Sequence, residues 1–123
     1  MKRIVVCEDE PITLRDLRIA CNTDFSKIIK EFQDGNEFLE WFRFHSNEVD
    51  VVILDIVLKK VDGFVLFHEI LNIRPSIPVI FISIENSIPL IRYLASIGAK
   101  DYIVKPIKLE QLKIKMQNLL KKL

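Results

Sequence analysis

Val51-Val52-Ile53-Leu54-Asp55-Ile56-Val57-Leu58-Lys59-Lys60-Val61-Asp62-Gly63 is the stretch on which the fold turns. Its first four residues are apolar and rich in β-branched side chains. They run without a polar interruption and end on a carboxylate. A continuous apolar run of this length reads as a strand covered on both faces, as in a parallel sheet, and not as a half-solvated strand. Seven residues later Asp62-Gly63 opens a helix whose apolar face is Phe64, Phe67 and Leu71. The same strand-then-helix unit recurs on both sides. Towards the N-terminus it is Ile4 to Cys7 with Leu14, Leu17 and Cys21, then Ile28-Ile29 with Phe38, Leu39 and Phe42 after the turn Asp34-Gly35-Asn36. Towards the C-terminus, Pro75 and Pro78 bracket the entry to Val79 to Ile82, and Ile91, Leu94 and Ala95 share a helical face that Gly98 ends. Tyr102 to Val104 then precede Leu109, Leu112, Met116, Leu119 and Leu123, spaced three and four apart.

Five such units in strict alternation predict a (βα)5 chain with right-handed crossovers and a parallel sheet. The expected architecture is a doubly wound α/β sheet of flavodoxin-like strand order 2-1-3-4-5, as one domain over residues 1–123. The bulk numbers agree. A chain of 123 residues suits one domain, and with half its residues hydrophobic it can bury a core. Lys plus Arg is 18 against 17 for Asp plus Glu, a net charge of +1 that gives no global attraction to nucleic acid or an anionic membrane. Cys7 and Cys21 read as buried apolar thiols of a reducing compartment. No signal peptide precedes the first apolar run, and none approaches the roughly 20 residues of a membrane helix, so a cytoplasmic location is expected.

In an open parallel sheet, ligands bind beyond the carboxyl ends of the strands. The first strand ends in Glu8-Asp9-Glu10, the third in Asp55, the fourth in Ser83 and the fifth in Lys105-Pro106. In the expected strand order these four ends are consecutive neighbours and converge on one pocket. Glu8, Asp9 and Asp55 would repel one another there, and a divalent cation with Lys105 would balance them. Hard oxygen ligands at strand ends suit Mg²⁺. Such a pocket presents a metal, an ammonium and a hydroxyl to an incoming phosphoryl group, with Asp55 as the central acceptor. Taken singly, each residue has an ordinary role: Asp55 and Ser83 as caps, Glu8-Asp9-Glu10 with Pro11 as the acidic start of a helix, Lys105 as a solvated lysine before a turn. Their coincidence on four strand ends is what points to a site. The reading requires the carboxylates of Asp9 and Asp55 to lie within about a nanometre, so that one cation can bridge them.

At these residues the chain resembles the response-regulator receiver family, along essentially its whole length. Glu8-Asp9 is similar to the family's acid pair. Asp55 through Asp62-Gly63 resembles its phosphoacceptor strand and following turn, Ser83 its Ser/Thr switch position, and Gly98-Ala99-Lys100-Asp101-Tyr102-Ile103-Val104-Lys105-Pro106 its C-terminal signature. The resemblance implies phosphorylation at Asp55 and Mg²⁺ held by Asp9, Asp55 and the backbone carbonyl of Val57, with Glu8 acting through a water. It implies that Lys105 pairs with the phosphoryl oxygens and that Lys105–Pro106 is a cis bond. Ser83 and Tyr102 would turn inward and alter the face of the fourth helix, fifth strand and fifth helix. The implied donor is a histidine kinase or phosphotransfer protein docking near the first helix. The implied output is an unknown partner, an attached domain or a phosphorylation-dependent homodimer, with no direct contact of this domain with nucleic acid or membrane expected.

Three positions depart from the family. Lys59 stands where proline is usual, which would loosen the loop, and Lys59 with Lys60 could attract anionic donors. Ile84 follows the switch serine where Ala or Gly is usual, and its bulk is expected to narrow access to Asp55. Glu8 replaces the commoner Asp. Elsewhere, His45 and His68 lack ligand partners at metal spacing and read as surface residues. Trp41, Phe42 and Phe44 read as a helix packing face rather than a base-stacking platform. The first strand is followed by no Gly-rich loop, which argues against nucleotide or flavin cofactors. Two rivals exist: a dehalogenase-type phosphatase, which needs an Asp where Val57 stands, and a pseudo-receiver that only binds partners.

Overall fold

A computed structural model describes residues 1–123. The elements are β1 (Lys2–Cys7), α1 (Pro11–Cys21), β2 (Ser26–Phe32), α2 (Gly35–His45), a short 3₁₀ turn (Ser46–Glu48), β3 (Val51–Asp55), α3 (Gly63–Ile73), β4 (Val79–Ser83), α4 (Ile88–Ser96), β5 (Asp101–Val104) and α5 (Leu109–Lys121). All strand pairs are parallel and the order is β2-β1-β3-β4-β5, as expected. Lys105–Pro106 is cis. No helix is long and apolar enough to cross a membrane.

The continuous apolar strands have a direct cause. Alternate residues of β1, β3 and β4 feed two separate cores. Val5, Cys7, Val52, Leu54, Val79 and Phe81 pack with α2, α3 and Leu94 of α4. Ile4, Val6, Val51, Ile53, Ile80 and Ile82 pack with α1 and α5. Each strand residue therefore needs an apolar side chain whichever way it points. Cys7 and Cys21 are free and buried, and burial pushes both thiols up to about 12.

The local stops are those the sequence signals. Asp34 caps α2 by accepting from Asn36 N. Gly98 follows α4 with φ of +92°, the left-handed conformation that favours glycine. Asp62 caps α3, its Oδ1 accepting from Phe64 N at 2.7 Å and Val65 N at 3.4 Å. An Asp62→Ala variant is expected to lose about 1 kcal/mol of stability, read from urea unfolding midpoints.

Four details differ from the sequence reading. β2 is seven residues long where only Ile28-Ile29 had marked it. It is an edge strand and less fully covered than the others: Lys27 and Lys30 are exposed and Glu31 is half-buried against Arg18. Its register with β1 slips between Ile4 and Val5, leaving Ile29 as the extra residue of a bulge. On α2, Phe42 is fully buried and Trp41 partly so, but Phe44 is 80% exposed and is no part of a packing face. On α4 only Leu94 is buried and Ala95 faces solvent, because this helix makes fewer core contacts than its neighbours. Glu10 is the N-cap residue of α1 but its side chain makes no hydrogen bond to the helix backbone.

Candidate functional site

The sheet order brings the ends of β1, β3, β4 and β5 side by side. Asp55 is the last residue of β3 and is paired in register with Ile82 of β4. Its side chain is 5% exposed, yet both oxygens are occupied. Oδ1 accepts from Val57 N at 2.8 Å, and Oδ2 accepts from Lys105 Nζ at 2.9 Å. Lys105 reaches it from just beyond β5 and also donates to Glu8 Oε1 at 3.1 Å. The ligand oxygens of Glu8, Asp9 and Asp55 all lie within 4.8 Å of one another. The requirement set on Asp9 and Asp55 by the sequence is met with room to spare.

The loop after Asp55 is fixed by backbone and glycine. Val57 forms an antiparallel bridge with Asp62, and Gly63 N donates to Ile56 O at 2.8 Å. Leu58 is buried, and Lys60 Nζ sits 3.4 Å from Asp34 Oδ2. The loop around Lys59 is thus tied at several points. Ser83 ends β4 and is 6% exposed, but its hydroxyl is turned to its own chain: it accepts from Glu85 N at 3.0 Å and donates to Glu85 O at 3.2 Å. Tyr102 pairs with Phe81 across β4 and β5, is half-buried, and carries the Lys115 ammonium 4.5 Å from its ring centre. Val57 and Ile84 flank the site with side chains 70% and 77% exposed. His45 stacks on Trp41 and pairs with Glu48, and His68 is exposed; neither belongs to the site.

The electrostatics centre on Glu8. It is fully buried, and Oε1 already accepts from Lys105 and from Glu10 N at 2.9 Å. Oε2 is buried with no donor at all. Burial, reinforced by the neighbouring Asp55, pushes the Glu8 carboxyl up to about 7, against the pull of the Glu10 amide and Lys105. Burial alone would lower the Lys105 pKa, but the hydrogen bond to Asp55 and the charges of Asp55 and Glu8 outweigh it and hold the ammonium above its usual range. Three carboxylates facing one ammonium leave an excess of negative charge and an orphaned oxygen, which is the donor set of a hard divalent cation. The residues present fit such an ion.

One participant was not singled out from the sequence. Glu10 Oε1 lies 3.8 Å from Lys105 Nζ and accepts a hydrogen bond from the buried hydroxyl of Thr13. The acidic run Glu8-Asp9-Glu10 holds the signal, but the strand-end reading assigns only Glu8 and Asp9 to the pocket.

Comparison with known proteins supplies the family. The family model described as "Response regulator receiver domain" matches residues 4–117. The chain is 30% identical to the transcriptional regulatory protein CiaR of Streptococcus pneumoniae over 122 residues, 99% of this chain and 53% of that protein. It is 26% identical to the chemotaxis protein CheY of Treponema pallidum, covering 97% of this chain and 83% of that one. It is also 29% identical to the two-component response regulator ARR2 of Arabidopsis thaliana, of which it spans only 18%. The chain thus spans about half, or less, of the length of several relatives it matches. Among solved structures, the CheX–CheY–BeF3–Mg²⁺ complex of Borrelia burgdorferi superimposes with a TM-score of 0.85 at 26% identity, over 98% of this chain and 87% of that chain. With the five-stranded order, the strand-end acids and the family match over nearly its full length all in agreement, the chain belongs to the response regulator receiver domain family.

Proposed function

We propose that residues 1–123 form one phosphoacceptor receiver unit of a two-component system, modified at Asp55. The observation that carries this is the Asp55 carboxylate: buried at a strand end, hydrogen-bonded to Lys105, and beside Glu8 and Asp9. An Asp55 oxygen attacks the phosphorus of a phosphohistidine on a histidine kinase or phosphotransfer protein. A P–O bond forms, the P–N bond breaks, and the electron pair leaves with the imidazole nitrogen. Hydrolysis by water later returns Asp55 and releases phosphate. Mg²⁺, held by Asp9, Asp55 and the Val57 carbonyl with Glu8 alongside, would neutralise charge on the phosphoryl oxygens.

The chain's own groups do the rest. Lys105 exchanges its Asp55 contact for a phosphoryl oxygen. Ser83 leaves Glu85 and donates to the same group, and Tyr102 turns inward, shifting the face made by α4, β5 and α5. That face meets the output partner, an attached domain or a second copy. In this reading the chain works in the cytoplasm, as a signalling element and not a turnover enzyme. Incubation with acetyl phosphate and Mg²⁺, followed by borohydride trapping and mass spectrometry, is expected to mark Asp55 alone. No mark with any donor would favour the pseudo-receiver, and sustained phosphate release from phosphomonoesters would favour the phosphatase. Comparing the rate of Ile84→Ala with wild type in the same assay tests whether Ile84 narrows access; equal rates dismiss that role.

A further inference from the structure

The Lys105 ammonium has three carboxylate neighbours: Asp55 Oδ2 at 2.9 Å, Glu8 Oε1 at 3.1 Å and Glu10 Oε1 at 3.8 Å. Asp55 and Glu8 are buried members of the site, whereas the Glu10 side chain is 52% exposed. A half-exposed glutamate would ordinarily sample several rotamers, at little cost. This one is held. The hydroxyl of Thr13, a residue 3% exposed on the first turn of α1, donates to Oε1, the same oxygen that faces Lys105. Glu10 makes no side-chain hydrogen bond to the helix backbone, so its carboxylate is oriented by Thr13 and Lys105 rather than by a cap.

We propose that Glu10, anchored by Thr13, is a positioning residue that holds the Lys105 ammonium toward α1 and so opposes its transfer to the phosphoryl group. This rests on Asp55 being the acceptor. When the phosphoryl group arrives, the ammonium must trade carboxylate oxygens for phosphoryl oxygens. The Glu10 contact is one it gives up, and the strength of that contact sets part of the affinity for the modified state. The Thr13–Glu10–Lys105 chain thereby links the start of α1 to the charge state of the pocket.

Two variants separate positioning from mere charge. Glu10→Gln keeps an acceptor for Thr13 but removes the charge. Thr13→Val keeps the charge but removes the anchor, and Thr13→Ser restores the hydroxyl. Calorimetric titration with Mg²⁺ alone, then with beryllium fluoride at saturating Mg²⁺, reads each. We expect Glu10→Gln and Thr13→Val both to bind beryllium fluoride more tightly, by about two- to fivefold for a partly exposed ion pair. Thr13→Ser should match wild type. Mg²⁺ alone should bind Glu10→Gln more weakly and Thr13→Val as it binds wild type. If wild type binds both ligands and Thr13→Val is unchanged toward beryllium fluoride, the positioning role is overturned, whatever Glu10→Gln does. Wild type that takes up neither ligand overturns the acceptor reading itself.

Discussion

Gly63→Ala is expected to cost roughly 3 kcal/mol or more and to spoil the acceptor loop. A Cβ built at Gly63 would meet Asp55 O at 2.5 Å, Ile56 Cα at 2.6 Å and Ile56 O at 2.6 Å. These are backbone atoms, so no side-chain rotation can relieve the contact. Either α3 backs away from β3 or the Asp55–Ile56 peptide moves. The same region holds the hydrogen bond from Gly63 N to Ile56 O and the one from Val57 N to Asp55 Oδ1. Moving the peptide therefore displaces the acceptor carboxylate together with the carbonyl proposed to hold the cation. Urea unfolding should show the lost stability, and Mg²⁺ titration should show weakened binding in the fraction that remains folded. Gly35→Ala is the control. Its added methyl would lie 3.1 Å from Leu66 Cδ2 and 3.4 Å from Leu58 Cδ1 and Val61 Cβ, all side-chain atoms that need give by only a few tenths of an ångström, and should be tolerated better. Equal losses in the two variants would mean that the approach of α3 to β3 is not what fixes the loop.

That contrast also marks what the sequence could tell. The dipeptide Asp62-Gly63 was legible as a helix start, since a capping carboxylate before the helical period is a local signal. That the glycine is there for the backbone of β3 is not local, and only the packed structure reveals it. The same division runs through the molecule. β1, β3 and β4 are legible because both faces are buried over residues 4–7, 51–54 and 79–82, where every residue is apolar. β2 is legible only at Ile28-Ile29 because an edge strand is less fully covered on its faces and tolerates Lys27, Lys30 and Glu31 there. Phe44 was misplaced because an aromatic near a helix face looks like core until the angular position is known. In the site, Glu8, Asp9, Asp55, Ser83 and Lys105 were found by asking what ends each strand. Glu10 was not, because its partner Lys105 lies 95 positions away and Thr13 is an ordinary helix residue until its hydroxyl is seen to point at the carboxylate. The orientation of Ser83 toward Glu85 is likewise a choice of rotamer that composition and spacing do not encode.

Glu8 gives the site a second strong prediction, in the dependence of stability on pH. Its carboxyl titrates near 7 in the folded chain against 4.5 ordinarily, chiefly because it is buried. A raised carboxyl pKa means that the folded state holds the proton more tightly than the unfolded state. The stabilising contribution is therefore complete below pH 4.5 and is lost as pH rises through 7. Without a divalent cation, the wild-type chain should be more stable at pH 5 than at pH 8, by at most about 3 kcal/mol from this group. The depressed carboxyls, Asp34 and Asp50, act in the opposite sense but only in more acid solution, since their ordinary value is 3.8. Glu8→Gln removes the titrating group while leaving an acceptor for Lys105 and Glu10 N. In chelator its unfolding midpoint should vary less between pH 5 and pH 8, and at pH 8 it should exceed that of wild type. Adding Mg²⁺ at pH 8 should then stabilise wild type more than Glu8→Gln, because the orphaned Oε2 gains a partner only where the carboxylate is charged. Parallel pH profiles for the two proteins in chelator would show that Glu8 is not the group that makes the metal-free chain less stable at high pH.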